Sequence, residues 1–220
     1  WALGYLIHHS PNQSYGEFGR ELFFKSVPHF SKLVHLRGIC NTITGLSYYL
    51  RTNPYDERML AELNSLTAKL ISSYKDSKDE DWHWFEDHMT YDNAIFPLAL
   101  FHVAEITADK EVKAIAHESL NYLEKITFNL STINPVGNDG WYKRGDEKVP
   151  MYDQQAIEIM AMVCMYFQAF MVTRETAYIK KMYTSYRWFL GENSLRIPLY
   201  DEETKGCADG LQANGVNRNQ

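Results

Sequence analysis

The sequence predicts an all-α protein built from αα-hairpins, and three features of the chain indicate this. Apolar residues recur at steps of three and four through most of the chain, as they do on one face of a helix. Strand signals are scarce, with short extended pieces only near residues 132–136 and 196–200. Short turns separate the helical stretches, and helices joined in this way pack antiparallel. No repeat of fixed residue identities is visible, so tetratricopeptide and ankyrin arrays are not indicated.

Seven helices are predicted in order along the chain. The clearest follows Asp92, where Ile95, Leu98, His102 and Ile106 keep the helical period. The predicted helices are residues 18–27, 29–51, 55–73, 93–107, 109–128, 153–172 and 174–190.

Cap and breaker residues set the predicted ends of these helices. Asp92 and Asp153 each precede a helix, so their carboxylates are expected to accept hydrogen bonds from free N–H groups of the first turn. Pro54 separates the second helix from the third. Gly191 is expected to end the last helix as a C-terminal glycine cap.

Length and composition fit one soluble globular domain spanning residues 1–220. Hydrophobic residues make up 45% of the chain and charged residues 23%, which is ordinary for a domain with a sizeable core. The chain opens on Trp1 rather than Met, so it is also read as a possible piece of a longer protein. The formal charge is −6 and no run of basic residues is present, so no nucleic-acid partner is predicted.

Cysteine and histidine spacing predicts neither a metal site nor a disulfide framework. Cys40, Cys164 and Cys207 lie far apart, and His83 and His88 lack the spacing of zinc ligands. We therefore expect no cofactor, a reducing compartment and a cytoplasmic location. No signal peptide is visible, and no apolar run is judged to approach the roughly 18 residues of a membrane span.

Residues 82–93 hold an unusual mixture of side chains. Their twelve positions contain four aromatic rings, three carboxylates and two imidazoles. A pyranose has an apolar face and a polar rim, so flat rings beside hydrogen-bonding acids suit a sugar. Glu86 and Asp87 would diverge by about 100° on a helix, so one of the two is expected to face a ligand. Under the structural alternative, the rings anchor the loop on the core and the acids satisfy backbone donors.

The same mixture returns in residues 134–146, a turn-rich loop. Trp141 or Tyr142 could stack on a sugar, and the planar fork of Arg144 could donate to a ligand oxygen. Alternatively, the aromatic residues pin the loop while Arg144 and Asp146 form a weak surface ion pair.

A third segment, residues 152–158, opens the next predicted helix. Gln154 and Gln155 each offer a donor and an acceptor, which suits hydroxyl recognition. Asp153 is either a site acid or the helix cap. Glu158 lies among apolar neighbours, so it is either a buried acid with satisfied hydrogen bonds or a site group with a raised pKa.

Two long loops, residues 73–91 and 129–151, are expected at one end of the helical array. Long loops on a helical scaffold are usually functional or disordered, and these two are too aromatic for disorder. The glycine-rich C-terminal stretch lacks the spacing of a nucleotide-binding loop. Asp209 in that stretch is either a site acid or a turn residue.

Four of these segments resemble bacterial helical domains of the six-hairpin glycosidase type, which are often found in glycosyltransferase-related proteins. The likeness spans residues 82–220, and the earlier residues match only in being helical. The matching runs are Trp84-Phe85-Glu86-Asp87 with Thr90-Tyr91-Asp92-Asn93-Ala94 and Pro97-Leu98-Ala99-Leu100, Gly137-Asn138-Asp139-Gly140-Trp141-Tyr142, Tyr152-Asp153-Gln154-Gln155 with Glu158, and Gly206-Cys207-Ala208-Asp209-Gly210-Leu211.

The resemblance implies an (α/α) toroid, in which helical hairpins close a ring and long loops at one end form the sugar site. A complete ring holds six hairpins, and this chain shows helices for about four, so either the ring is incomplete or residues at its ends are missing. The chain has no sign of a nucleotide-sugar-binding unit of its own. The resemblance therefore implies that a separate glycosyltransferase domain would be the partner.

The sequence thus predicts a carbohydrate-active domain that is glycoside hydrolase-like and acts on or binds an oligosaccharide. A non-catalytic glycan-binding or accessory module is the alternative, and a purely structural helical scaffold is a third hypothesis. Glycoside hydrolysis needs two carboxyl groups. Glu86 or Asp87 is predicted for one role and Asp153 or Glu158 for the other. The predicted substrate-binding residues are Trp84, Tyr91, Asp92, Asn93, Trp141, Tyr142, Arg144, Gln154, Gln155 and Asp209.

Overall fold

The computed structural model describes residues 1–129 and 132–218, and these are mostly helical, as predicted. The eight α-helices in this part of the chain are α1 (Ala2–His9), α2 (Gln13–Ser26), α3 (Leu36–Thr52), α4 (Glu57–Ser77), α5 (Ile95–Thr107), α6 (Lys110–Thr127), α7 (Ala156–Thr173) and α8 (Thr176–Phe189). A 3-10 helix (Val27–Lys32) lies between α2 and α3. The short strands are β1 (His88–Met89), β2 (Phe128–Asn129), β3 (Thr132–Ile133), β4 (Tyr142–Lys143), β5 (Gln154–Gln155), β6 (Gly210–Gln212) and β7 (Gly215–Asn217).

The helices form four consecutive hairpins, α1/α2, α3/α4, α5/α6 and α7/α8. Within this series α1 packs on α3, α3 on α5, and α5 on α7, so the odd-numbered helices form a continuous inner row. Residues 95–104 of α5 are all buried, because this helix contacts α3, α6 and α7. The outer helices α4 and α6 instead bury one face each, as amphipathic helices do.

The inner helices run in the same direction. At their C-terminal ends, Arg51 of α3 donates to Glu105 of α5 and to the Gln168 side-chain oxygen of α7 (3.2 Å). At the opposite end, the segment before α5 contacts the first turns of α3 and α7, through Arg37 and Glu158 respectively. Three helix N termini therefore lie together at one end of the array, which we call the loop end.

Three loops are joined at the loop end. Strand β1 of the loop before α5 pairs with β4 of the loop before α7, with His88 opposite Lys143. The backbone N–H groups of residues 137–139 donate to the carbonyl groups of Pro150, Asp153 and Tyr152. Strand β5 pairs with β6, and β6 with β7, which brings the C-terminal stretch to the same place. The prediction that the two long loops share one end of the array is confirmed.

Most predicted helices are present, with changes at their ends. The prediction missed α1, an eight-residue helix too short to show a clear period. Predicted helix 29–51 is two elements, because the 3-10 helix containing Pro28 ends at Lys32 and extended residues precede α3. The extended piece at 132–136 contains β3, whereas that at 196–200 contributes a single bridge from Tyr200 to Cys207.

Two predicted helix caps are wrong. Asp92 lies three residues before α5 with φ at 50°, and Ala94 occupies the cap position without a side-chain hydrogen bond. Helix α7 begins at Ala156 after Gln155, so Asp153 does not cap it. The glycine cap of α8 is confirmed: Gly191 has φ at 100° and its N–H donates to the carbonyl of Trp188.

Helix α7 is apolar around most of its circumference. Of the helices in the described residues, α7 alone has the length and apolar composition that a membrane span would need. This corrects the expectation that no apolar run approaches that length. Core helices pass the same test, and α7 packs closely against α5 and α8. It also leaves a stripe of apolar side chains exposed, Ile157, Met160 and Phe167.

Two glycines, Gly4 and Gly45, lie where the backbones of α1 and α3 approach each other closely, and this contact generates a prediction. A Cβ atom on Gly4 would lie 2.0 Å from the carbonyl oxygen of Gly45, so the two helices would have to separate. We expect Gly4→Ala to lower the free energy of unfolding by about 2–3 kcal/mol, as overpacking does. Gly16→Ala is the matched control, because nothing lies within 4 Å of a Cβ atom at that position in α2. It should raise stability by about 0.5–1 kcal/mol. Urea unfolding measures both, and equal effects would contradict the close packing of α1 on α3.

Candidate functional site

A cleft of about 700 Å³ lies along the inner row of helices. Its walls are mostly apolar side chains of α1, α5 and α7, among them Leu3, Leu98 and Met160. Polar groups of α3 follow one line along it, with Asn41, Thr44, Tyr48 at helical spacing. Asp92 contributes a carboxyl group to the cleft at the loop end.

Asp92 is held in an unusual environment for a carboxyl group. Its backbone lies in the left-handed region, which aspartate tolerates better than most residues, and the residue is only 7% exposed. Within the described residues Oδ1 has no hydrogen-bond partner. Burial raises the pKa of Asp92 to about 6, and the nearby Arg37 guanidinium opposes that rise. The group is therefore poised to exchange a proton near neutral pH.

Glu158 is a second buried carboxyl beside Asp92. It lies in the first turn of α7 and is 2% exposed. Its Oε2 accepts hydrogen bonds from the backbone N–H (3.1 Å) and the side-chain amide (3.2 Å) of Asn93. Burial raises the pKa of Glu158 to about 8; the Asn93 hydrogen bonds oppose the rise and the Asp92 charge adds to it. Glu158 is thus mainly protonated at neutral pH, whereas Asp92 is mainly ionised.

Arg37 provides the positive charge at the loop end of the cleft. Its Nη1 donates to both oxygens of Glu86 (3.1 and 2.9 Å), and its Nε donates to the Tyr91 carbonyl (2.6 Å). The guanidinium also lies over the rings of Tyr91 (4.6 Å) and Phe96 (4.9 Å). Its buried Nη2 has no partner in the part of the chain that the structure describes. Arg37 therefore fixes the segment 86–91 and contributes an unused donor.

The predicted site residues divide into separate groups in the structure. Tyr91, Asp92, Asn93, Glu86 and Glu158 come together around Arg37. Tyr142 and Arg144 instead line a second groove between two loops. Trp141 is half exposed, stacks on His88 (5.9 Å between ring centres) and donates to the Asn138 side chain.

Two predicted substrate-binding residues, Trp84 and Gln154, are instead buried in the core. Trp84 is fully buried against Phe85 and Phe96, so it offers no face to a sugar. Gln154 is also buried. Its side-chain oxygen accepts from the Trp188 indole (3.0 Å), and its amide donates to the Met151 carbonyl (2.9 Å), so both groups are already paired.

Three predicted acids and one amide have other surroundings. Asp87 is 79% exposed on its side chain and pairs with Arg144 (3.0 Å). Asp153 is partly buried, and its backbone carbonyl accepts from Asn138. Gln155 and Asp209 lie at the β5–β6 pairing, where the Asp209 carbonyl accepts from Ala156.

A polar network closes the other end of the inner row. Arg51 Nη2 contacts Glu105, the Gln168 oxygen and Nδ1 of His102 (3.0 Å), and its guanidinium lies over the Tyr48 ring (4.7 Å). Burial, reinforced by Arg51, lowers the pKa of His102 to about 3, so this imidazole is neutral and can accept from Arg51. The network ties α3, α5 and α7 to one another.

Sequence reasoning did not single out Arg37 or Arg51. Both are charged residues on α3, a helix whose other face is apolar, and each faces the inner row. A lone arginine at each end of an apolar helix was the available signal. Within residues 1–129 and 132–218, no group of three or more histidine, cysteine or carboxylate side chains is placed to hold a metal ion.

The raised pKa of Glu158 generates a stability prediction. A carboxyl whose pKa is higher in the folded state favours folding at low pH, and this contribution is lost as pH rises from the usual 4.5 towards 8. We expect Glu158→Gln to remove that dependence, so that relative to the parent it gains about 2–4 kcal/mol between pH 5 and pH 9. Urea unfolding at both pH values measures this. Glu202→Gln, at an exposed position, is the control. A parallel pH dependence in Glu158→Gln and the parent would contradict the burial of an ionisable group there.

Comparison with known proteins gives a structural likeness. No family model matches the sequence, and no curated protein matches it significantly. The crystal structure of the Lin0763 protein from Listeria innocua is similar, with a TM-score of 0.69 and 10% sequence identity. The alignment covers 96% of this chain and 62% of Lin0763, so the chain spans under two thirds of that protein's length. At this identity the likeness shows that the two chains share a fold.

Proposed function

We propose that this chain is a carbohydrate-active domain whose reaction is glycoside hydrolysis. The observation that carries the proposal is the pair of buried carboxyls, Asp92 and Glu158, with pKa values of about 6 and about 8. Two carboxyl groups of opposite protonation state are what hydrolysis of a glycosidic bond requires. The resemblance of the loop segments to six-hairpin glycosidase-type domains supports the same conclusion.

The proposal includes a toroidal arrangement of the hairpins. Four hairpins with their odd-numbered helices in one inner row fit an arc of an (α/α) toroid, with the long loops at one end. In such an arc a substrate would enter from the loop end, where Asp92 contributes to the cleft. The toroid would be incomplete over the described residues.

The roles follow from the protonation states. Near pH 7 Glu158 carries a proton and serves as the general acid, which protonates the leaving oxygen. Asp92 is ionised and acts on the sugar carbon, either directly or through water. Arg37, held by Glu86, keeps a positive charge near Asp92 and so limits the rise of its pKa. Tyr91 is half exposed and its ring lies against the Arg37 guanidinium, so it offers an aromatic surface next to Asp92.

The polar line on α3 supports a hydroxylated ligand. Asn41 and Thr44 line the cleft beyond Asp92, and Tyr48 follows one turn later. Amide and hydroxyl groups donate and accept, as sugar hydroxyl groups do. The apolar walls opposite suit the apolar face of a pyranose.

The test is hydrolysis of a panel of oligosaccharides by the parent and by single variants. We expect Asp92→Asn and Glu158→Gln each to lower kcat by roughly 10²–10⁴-fold with little change in KM, since general acid–base catalysis contributes on that scale. Asp87→Asn is the matched control, because this exposed acid lies outside the pair. Its kcat should equal that of the parent.

The pH profile of kcat/KM provides an independent check. A base with a pKa of about 6 and an acid with a pKa of about 8 should give a bell with limbs near those values. Binding of an oligosaccharide with no released product would support the non-catalytic accessory module instead. Absence of binding to every sugar in the panel would contradict the proposal.

A further inference from the structure

Asn93 stands between the two acids of the proposed site. It follows Asp92 directly, lies in the turn before α5 and is completely buried. Its backbone N–H (3.1 Å) and its side-chain amide (3.2 Å) both donate to Oε2 of Glu158, which is 65 residues away in the sequence. One oxygen of that carboxyl group therefore receives two hydrogen bonds from a single residue.

The side-chain amide of Asn93 has only one orientation that fits its surroundings. Its nitrogen lies 3.3 Å from the Thr90 carbonyl oxygen as well as 3.2 Å from Glu158 Oε2. A backbone carbonyl can only accept, so the NH₂ group and not the amide oxygen faces it. The two hydrogens of the amide are thus divided between Thr90 and Glu158, and the contact with Thr90 holds the donor in place.

The other oxygen of Glu158, Oε1, is buried and has no hydrogen-bond partner within the described residues. The two Asn93 donors occupy the lone pairs of Oε2. A hydrogen on Oε2 would compete with N–H groups that already point at that oxygen. The proton of Glu158 therefore belongs on Oε1, the oxygen that is free to give it to a ligand.

The charged groups that act on Glu158 come from two other elements. Asp92, in the segment before α5, raises the pKa of Glu158, and Arg37 of α3 lowers it. Near the start of α7, Asp209 before β6 is exposed, and α8 contributes the neutral Trp188 indole. The two charges therefore act in opposite directions, and the hydrogen bonds to Oε2 add to the effect of the arginine.

Loss of its proton turns Glu158 into a buried carboxylate, and Asn93 is placed to stabilise that anion. Burial favours the protonated form, whereas both Asn93 hydrogen bonds lower the pKa. Hydrogen bonds to an ionised acceptor are roughly twice as strong as those between neutral groups. The Asn93 contacts therefore strengthen as the proton leaves, and such a contribution is made in the transition state more than in the ground state.

We propose that Asn93 is a positioning residue, which confines the transferable proton of Glu158 to Oε1 and stabilises the carboxylate that proton transfer creates. The catalytic part of this role rests on the proposed function. The hydrogen on Oε1 passes to the leaving oxygen as the glycosidic C–O bond breaks, and the electron pair of that bond stays with the leaving oxygen. Asp92, directly or through water, supplies the new electron pair to the sugar carbon, and negative charge appears on Glu158.

The first test is Asn93→Leu, whose side chain has the same branched shape but no donor. We expect kcat at pH 7 to fall about tenfold with little change in KM. The basic limb of kcat/KM should move about one pH unit higher, because a hydrogen bond to a charged group contributes on that scale. The variant holds its proton more firmly, so the lower kcat cannot come from a smaller protonated fraction of Glu158.

A direct titration of Glu158 tests the contact without hydrolysis. NMR of the chain labelled with ¹³C at its glutamate carboxyl groups follows each of them, and the Glu158 signal is the one that Glu158→Gln removes. We expect a midpoint of about 8 in the parent and one about a pH unit higher in Asn93→Leu. Asn93→Ala, which avoids crowding by the leucine methyl groups, should shift the midpoint in the same direction. A midpoint unchanged in both variants would overturn the proposal.

Asn193→Ala is the matched control. Asn193 is also a buried asparagine, at 5% exposure, and its amide donates to the carbonyls of Trp188 (2.9 Å) and Ile197 (2.7 Å). Its replacement should lower stability but leave the Glu158 midpoint and the basic limb where they are in the parent. Shifts as large as those of Asn93→Leu would mean that lost stability moves the proton, which would contradict a specific role for Asn93.

The outcomes separate this inference from the proposed function. Absence of hydrolysis by the parent would contradict the proposed function, whereas a shifted Glu158 midpoint in Asn93→Leu would still support the placement of the proton by Asn93. Hydrolysis by the parent with an unchanged kcat in Asn93→Leu would overturn the positioning role alone. A higher KM at unchanged kcat would show that Asn93 binds the sugar directly, which also overturns that role.

Discussion

The structure depends on the complete burial of α5. Ten consecutive residues of this helix are enclosed by α3, α6 and α7, so two other hairpins must pack on its own hairpin for it to lose contact with water. This requirement places the inner helices side by side and sends the connecting loops to shared ends. The cleft and the two buried carboxyls lie beside this helix, because Ile95 and Leu98 line the cleft and Glu158 accepts from Asn93 just before α5.

Two carboxyl groups, those of Asp92 and Glu158, are buried at the N-terminal end of α5. The Glu158 carboxyl is held against Asn93, where the chain passes into α5, and Asp92 is turned inwards by a left-handed backbone. An apolar filling at these positions would avoid the desolvation of two carboxyls. Strongly perturbed pKa values cluster at functional sites, so the proposed function rests on this pair and not on the exposed acids of the same loops.

Much of the helical scaffold could be predicted from the sequence, whereas the site could be predicted only in part. Long helices such as α5 and α6 can be predicted from the helical spacing of their apolar residues. Helix α1 is too short to show that spacing and is held by its contact with α3. The apolar neighbours of Glu158 in the sequence indicated a buried carboxyl, and the residue is buried. The contact between Arg37 and Glu86 joins positions 49 residues apart, and no local pattern encodes it. Rings that looked exposed by composition, such as Trp84, are used to anchor loops because burying an indole stabilises more than displaying it.

The network of Arg51, Glu105 and Gln168 has a consequence for how this protein can change over time. It sets the register of three helices at the end remote from the loops. Substitutions at these three positions should therefore disturb the alignment of the helices more than substitutions at exposed loop positions such as Asp87. Tolerance to mutation is thus unevenly distributed. The end that holds this network is where we expect substitutions to be least tolerated.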